Sequence, residues 1–290
     1  MESVLTAEKR IAIQGVRGSF HEIAARRFFG ENIDLEMCDS FPALFRSLNE
    51  RKAEFGVMAI ENSVAGTILP NYGLVRDSRY TIIGELFLRI EHHMMALPGQ
   101  KFEDIHEVHS HPMAILQCHK FFENHPQIKL IESTDTADSA WMIKKTKKKG
   151  VGAIASRLAA VHTGLEILAE GIETHKRNFT RFLVLQDKDE FAPGSINPDK
   201  SSLCFNLLHR VGSLSQILLV LSSHGMNLTK IQSLPVVGHE WQYFFHIDLE
   251  YDDFAQYQRA LAAIQPLVEE LKILGDYQRG KKHPEDTPLS

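Results

Sequence analysis

Residues 187–200, "DKDEFAPGSINPDK", place Pro, Gly and Asn among four acidic residues, between two apolar runs. Such residues break helices and strands alike, so the stretch reads as a linker, taken here as 188–200. It separates two different rhythms. Before it, short apolar runs alternate with helical patterns, the mark of an α/β domain. IAIQ (11–14) precedes a helix at 20–29, and GVMAI (56–60) follows the amphipathic FPALFRSLNERK (41–52). IHEVHS (105–110) precedes MAILQCHKFF, VGAIA (151–155) precedes a helical RLAAVHTGLEILAEG, and FLVL (182–185) closes the series. After it, SLCFNLL reads as a strand, SLSQILLVLSSHG as a helix ended by Gly225, and NLTKIQSLPVV and EWQYFFHIDLEY as strands. DFAQYQRALAAIQPLVEEL is then a helix and KILGDY a last strand. That order, βαββαβ, predicts a ferredoxin-like module of four antiparallel strands with two helices on one face.

Composition narrows the class. The chain has 290 residues, enough for two domains, with 43% hydrophobic and 24% charged residues, and a formal charge of −5. No basic face with interleaved aromatics points to nucleic acid. The N-terminal MESVLTAEKR lacks the pattern of a secretion signal, and no apolar run reaches membrane-spanning length, so a soluble, cytoplasmic protein without a membrane partner is expected. Cys38, Cys118 and Cys204 are odd in number and far apart, which fits free thiols. No C-x-x-C or H-E-x-x-H spacing accompanies the fifteen histidines, so neither metal nor cofactor is expected.

The strand-to-helix junctions carry the functional signal. After IAIQ comes GVRGSFHE, with Ser19 as N-cap and Glu22 three residues on, a capping box. After EVHS, Pro112 stands in a first helical turn with Ser110 or His111 as cap. After VGAIA, Ser156 caps the next helix. Each junction offers free backbone N–H groups and a partial positive charge. A single one is an ordinary cap. Together, at the carboxyl ends of strands, they outline a crevice for a small anion with more than one carboxylate. GVRGS is neither a dinucleotide fingerprint nor a P-loop. Glu61, Asn62 and Ser63 follow a buried strand and could supply proton transfer and hydrogen bonds, or could merely form a turn. In DTADSAWMIKKTKKKG the lysines read as a solvated helix end closed by Gly150. The paired histidines of EHHMMALPG read as core or hinge, and Cys118 as a buried thiol.

Six motifs in order then agree with one family. They are GVRGSFHEIAA (15–25), IENSVAG (60–66), SHPMAILQC (110–118), GAIASRLAA (152–160), NFTRF (178–182) and NLTKI (227–231). On these the chain resembles a prephenate dehydratase of the monofunctional kind with a C-terminal ACT regulatory domain, over about residues 10–276. A chorismate mutase domain, as in bifunctional forms, is not expected before Ile11. The resemblance implies a two-lobed catalytic domain at 10–187, like the type II periplasmic binding proteins. Lobe one would take about 10–88 and 169–187, lobe two about 89–168, and the ACT domain 201–277. It implies a lyase of phenylalanine biosynthesis that converts prephenate to phenylpyruvate with loss of CO₂ and hydroxyl. Thr180 would assist hydroxide departure, with Glu61, Asn62 and Gln117 as further catalytic residues. Arg181, by bidentate pairing, would hold a substrate carboxylate, and Phe182, Ser63, Ser19, Ser110, His111 and Ser156 would line the site. L-Phenylalanine would act through Gly212, Ser213, Leu214 and through Asn227, Leu228, Thr229, on a homodimer or homotetramer. The pattern departs at Met113, where the family has Gln, and at Thr163, where it has Tyr. In the regulatory module Gly212-Ser213-Leu214 replaces G-A-L, and Gln232-Ser233-Leu234-Pro235 replaces E-S-R-P with the loss of two charges. Two rivals remain: an arogenate dehydratase, and a catalytically silent small-molecule sensor.

Overall fold

The computed structural model of the chain describes residues 9–192, 197–207, 210–235 and 243–281. Linker residues 193–196 and the expected strand positions 208, 236–237 and 240–242 lie outside the described residues. The N-terminal elements are β1 (Lys9–Gln14), α1 (Phe20–Phe29), β2 (Ile33–Cys38), α2 (Phe41–Asn49), β3 (Phe55–Asn62), β4 (Gly66–Thr67), α3 (Leu69–Asp77) and β5 (Tyr80–Arg89). Then come β6 (His93–Ala96), β7 (Glu107–Ser110), α4 (Pro112–Gln117), α5 (His119–Glu123), β8 (Lys129–Glu132), α6 (Thr136–Thr146), β9 (Val151–Ala155), α7 (Arg157–Thr163), β10 (Glu166–Ala169) and β11 (Phe179–Asp187). The C-terminal run is β12 (Lys200–Asn206), α8 (Ser213–Ser223), β13 (Asn227–Pro235), β14 (Tyr243–Glu250), α9 (Phe254–Ile264) and β15 (Glu270–Tyr277).

The chain divides into two compact units, one holding the described residues up to Thr67 with Phe87–Phe182, the other Ile68–Leu86 with Leu183–Lys281. In the first, β1 pairs in parallel with β2 and β3, and β4 lies antiparallel beside β3. A strand flanked on both sides and covered on both faces needs a continuous apolar run, and Ile11, Ala12 and Ile13 are each fully buried. A second sheet, β10-β6-β9-β7-β8, has β7 parallel to β8 and β9, and β6 antiparallel to β9 and β10. All five residues of β9 are buried. The loop after β1 approaches α7 so closely that a Cβ on Gly18 (φ 92°) would lie 2.6 Å from Ala159 Cα, so only glycine fits.

Several elements differ from the sequence reading. RLAAVHTGLEILAEG is only half helix: α7 ends at Gly164 (φ 72°) and Glu166–Ala169 pairs with β6 as a strand. MAILQCHKFF breaks at Cys118 into two short helices. α6 is closed by Lys147 in the left-handed region (φ 52°), three residues ahead of Gly150.

In the second unit the strands run β13-β14-β12-β15, all antiparallel. Leu203, Phe205, Ile247 and Leu249 pack on Ile217, Leu221, Tyr257 and Ile264 of the two helices. Each such side chain contributes roughly 1.5–3 kcal/mol through burial. The alternate strand positions point to the other face, where they meet α3 and β5. There Lys200 pairs with Glu85 (2.9 Å), the Tyr72 ring stands edge-on to His246 at 4.4 Å, and Arg76 lies over Phe244 at 4.2 Å. Those contacts are why residues 68–86 group with the C-terminal sheet.

Candidate active site

Strand β11 opens with Phe179-Thr180-Arg181-Phe182, and β3 closes with Glu61-Asn62. Successive side chains on a strand face opposite ways, so Thr180 and Arg181 diverge. Thr180 meets Asn62, whose Nδ2 donates to its Oγ1 at 2.9 Å. Arg181, 4% exposed, turns to the Glu61 carboxylate at 3.4 Å. Phe182 is 1% exposed and packs edge-on to His21 at 5.1 Å, a core position rather than a pocket wall.

The amides around Thr180 have a fixed direction. Asn62 Oδ1 accepts the backbone N–H of Val64 (2.9 Å) and of Ala65 (2.7 Å), which settles which end of that amide is oxygen. Its Nδ2 then donates both to Thr180 and to Asn178 Oδ1 (2.7 Å). Asn178 Nδ2 in turn donates to Gln117 Oε1 at 2.8 Å. The same Oε1 faces His92 Nε2 at 2.9 Å, while Gln117 Nε2 stands 3.5 Å from Asn62 Oδ1. The donor count closes on one outcome. One Thr180 lone pair accepts an N–H, and its hydroxyl proton has no acceptor among the described residues.

Gln117 is held where α4 ends, its carbonyl accepting Thr174 N–H at 2.7 Å. Cys118 beside it is fully buried, and burial pushes its thiol pKa up, which disfavours the thiolate. Ser63 staples the strand start: its Oγ donates to Arg177 O (3.1 Å) and accepts Phe179 N–H (2.9 Å). Beside it a cavity of about 520 Å³ is lined by Ser63, Val64, Thr174, His175, Lys176 and Arg177. His175 and Arg177 are exposed there, and Lys176 reaches Glu173 at 3.4 Å.

The capping serines have internal duties. Ser19 Oγ accepts Glu22 N–H (3.2 Å), but the Glu22 carboxylate takes Gly18 N–H (2.6 Å) rather than closing the box on Ser19. Burial opposes ionisation of Glu22, yet Gly18, Arg26 and His162 outweigh it and lower its pKa. The start of α1 therefore already holds an anion of the protein's own. Ser156 Oγ accepts Ala159 N–H and donates to Gly18 O at 2.6 Å, joining the starts of α7 and α1. Ser110 donates to Ile154 O (2.7 Å), and His111 is the cap of α4, accepting Met113 N–H. Ser19 and Ser156 are thus buried helix caps and Ser110 a buried tie to β9, and the hydroxyl protons of Ser110 and Ser156 are given to protein carbonyls. Gly212 (φ 84°) precedes α8, Ser213 and Leu214 begin it, and Asn227, Leu228 and Thr229 begin β13. Asn178, His92 and Arg177 are not among the expected site residues, yet Asn178 and His92 stand in this amide chain and Arg177 lines the cavity. Asn178 lies within the NFTRF motif itself, and His92 is a polar residue at the head of an apolar strand.

The family model "Prephenate dehydratase" matches residues 11–190. The chain is 36% identical to the chloroplastic arogenate dehydratase/prephenate dehydratase 1 of Arabidopsis thaliana, over 92% of this chain and 71% of that one. Among solved structures it is similar to GqqA, described as a novel type of quorum quenching acylase, with TM-score 0.85 and 28% identity over 96% of this chain and 100% of that one. It is also similar to the prephenate dehydratase of Arthrobacter aurescens in complex with L-Phe, with TM-score 0.81 and 26% identity over 97% and 92%. The matched model covers more than half of the chain, and the chain belongs to the prephenate dehydratase family.

Proposed function

We propose that the Thr180 site converts prephenate to phenylpyruvate. The bond from the ring to its carboxylate breaks, its electron pair enters the ring, and the C–O bond to the ring hydroxyl breaks. CO₂ and, after protonation, water leave. Aromatisation supplies the driving force, so the protein must orient the ring and meet the charge growing on the departing oxygen. The observation that carries this reading is the Thr180 hydroxyl, one lone pair taken by Asn62 at 2.9 Å and its proton, without an acceptor among the described residues, available to that oxygen. A threonine is too weak an acid to give the proton up alone, so it acts by a hydrogen bond that strengthens as hydroxide forms. The cationic cavity beside Ser63 takes a substrate carboxylate, with Arg177 and His175 as its exposed donors. Arg181, beside Glu61, holds the strand start in place. An acylase mechanism is less well served, because Thr180 faces an amide donor where a nucleophile needs a base.

The two-lobed catalytic domain at 10–187 and an ACT domain at 201–277 complete this reading. The α8 start has no side-chain cap, and its backbone N–H groups suit the carboxylate of L-phenylalanine. Residues 227–229 at the start of β13 would contribute the other wall, in a homodimer or homotetramer. Gln232 donates its amide to Ser233 O and brings no charge.

Incubating the purified chain with prephenate and following phenylpyruvate absorbance tests the activity. Release of phenylpyruvate is expected, and none from prephenate, with turnover of arogenate instead, would transfer the reading to the amino substrate. No turnover of either would leave the sensor. Calorimetry with L-phenylalanine tests the regulation, which no heat and no inhibition would remove.

A further inference from the structure

His92 closes the amide chain at the end remote from Thr180. It is 2% exposed, and its ring stands edge-on to Phe20 at 5.6 Å. Glu173 Oε2 accepts its backbone N–H at 3.0 Å. Nε2 faces Gln117 Oε1 at 2.9 Å, while Nδ1 is buried with no hydrogen-bond partner among the described residues. Because Gln117 Oε1 is an acceptor only, Nε2 must carry the proton and Nδ1 a lone pair. A second proton, on Nδ1, would be a buried donor without an acceptor. Burial lowers the pKa of the ring and outweighs Gln117 and Glu173, which raise it, with His93 adding to the lowering. Geometry and environment agree on one neutral tautomer.

We propose that His92 is a positioning residue for the dehydration: its Nε2–H clamps Gln117 Oε1 and so maintains the direction of the amide chain that ends at Thr180. Without that donor, Gln117 Oε1 keeps Asn178 as its one partner among the described residues, and the amide can flip. A flipped Gln117 presents its NH₂ to the NH₂ of Asn178, which breaks the chain and frees Asn62 and Thr180 from their fixed geometry. No atom of His92 needs to touch substrate, so the loss belongs in kcat and not in KM. The inference rests on the Thr180 reading of the site.

His92→Gln keeps an amide N–H near the Nε2 position, whereas His92→Phe keeps the ring and removes the donor. With prephenate, His92→Phe is expected to lose roughly 10²-fold in kcat with little change in KM, and His92→Gln to recover most of it. The reverse order, Phe active and Gln impaired, would show that ring packing on Phe20 is all that matters and would overturn the proposal, as would wild-type kcat in both. Nitrogen NMR of the wild-type imidazole keeps the proposal testable if the variants fail to fold: a proton on Nε2 is expected, and one on Nδ1 overturns it. Thr180→Ala is measured alongside. Full activity there overturns the site reading itself, whereas an inactive Thr180→Ala with an unimpaired His92→Phe removes only the role of His92.

Discussion

Two buried polar networks among the described residues are built differently. Around Thr180 the groups are neutral amides in single file, each donation set by the one before it. On strands β12, β14 and β15 the groups are hydroxyls and carboxylates. Ser202 donates to Asp248 at 2.5 Å, so the Tyr277 hydroxyl must donate to Ser202 at 2.7 Å. Ser201 donates to Asp276 at 2.5 Å, so Tyr251 donates to Ser201, and Tyr257 donates to Asp276 at 2.9 Å. In the second network every hydroxyl proton has an acceptor, as a structural network requires. In the first, the Thr180 hydroxyl proton has no acceptor among the described residues. An unmatched donor held by matched neighbours is the basis of the proposed site, and burial of polar groups alone is not.

That contrast can be broken from either side. Asn62→Asp keeps the shape and the turn at Val64 and Ala65 but cannot donate to Thr180; a loss of about 10²–10³-fold in turnover is expected, with the fold retained by circular dichroism. On the other side, Lys200 is 5% exposed at its side chain and pairs with the fully buried Glu85. Lys200→Met takes the ammonium away from that carboxylate, which keeps the Gly280 N–H at 3.0 Å, at an expected cost of about 3–5 kcal/mol in urea unfolding, while turnover per folded molecule is unchanged. A graded effect, smaller than that of Lys200→Met for each unit of pH, separates acid sensitivity from the catalytic chain. His21 Nε2 accepts Ala59 N–H, and burial holds its pKa down to about 3 from the ordinary 6.5. The unfolded chain therefore takes up the proton first, and stability falls as pH drops from 6.5 toward 3, by about 1.4 kcal/mol per unit. Unfolding curves in that window measure the slope, which should flatten in His21→Gln. Smallest is Ser202→Ala, which removes the hydroxyl between Tyr277 and Asp248 and is expected to cost roughly 0.5–1.5 kcal/mol without altering kcat.

Much of this organisation is legible in the sequence, and the exceptions have physical causes. Caps and glycines mark the ends of α1, α7 and α8, and the apolar runs mark β1, β9 and β12, because local backbone chemistry sets both. LEIL (165–168) reads as continued helix because a short apolar run carries no period of its own, and only pairing with β6 makes it a strand. TRF and IENS are visible as motifs, but which of Thr180 and Arg181 shares a face with Asn62 depends on strand pairing across the sheet. His92 is hidden for the same reason: its partner Gln117 is 25 residues away, and its neutral donor state follows from burial.

The most direct measurement is steady-state turnover of prephenate by Thr180→Val beside Thr180→Ser. Valine fills the same volume without the hydroxyl, and serine returns the hydroxyl without the methyl. The account predicts that valine loses at least about 10²-fold in kcat while serine keeps most of it, both folded and binding substrate normally. Wild-type kcat in Thr180→Val would contradict it.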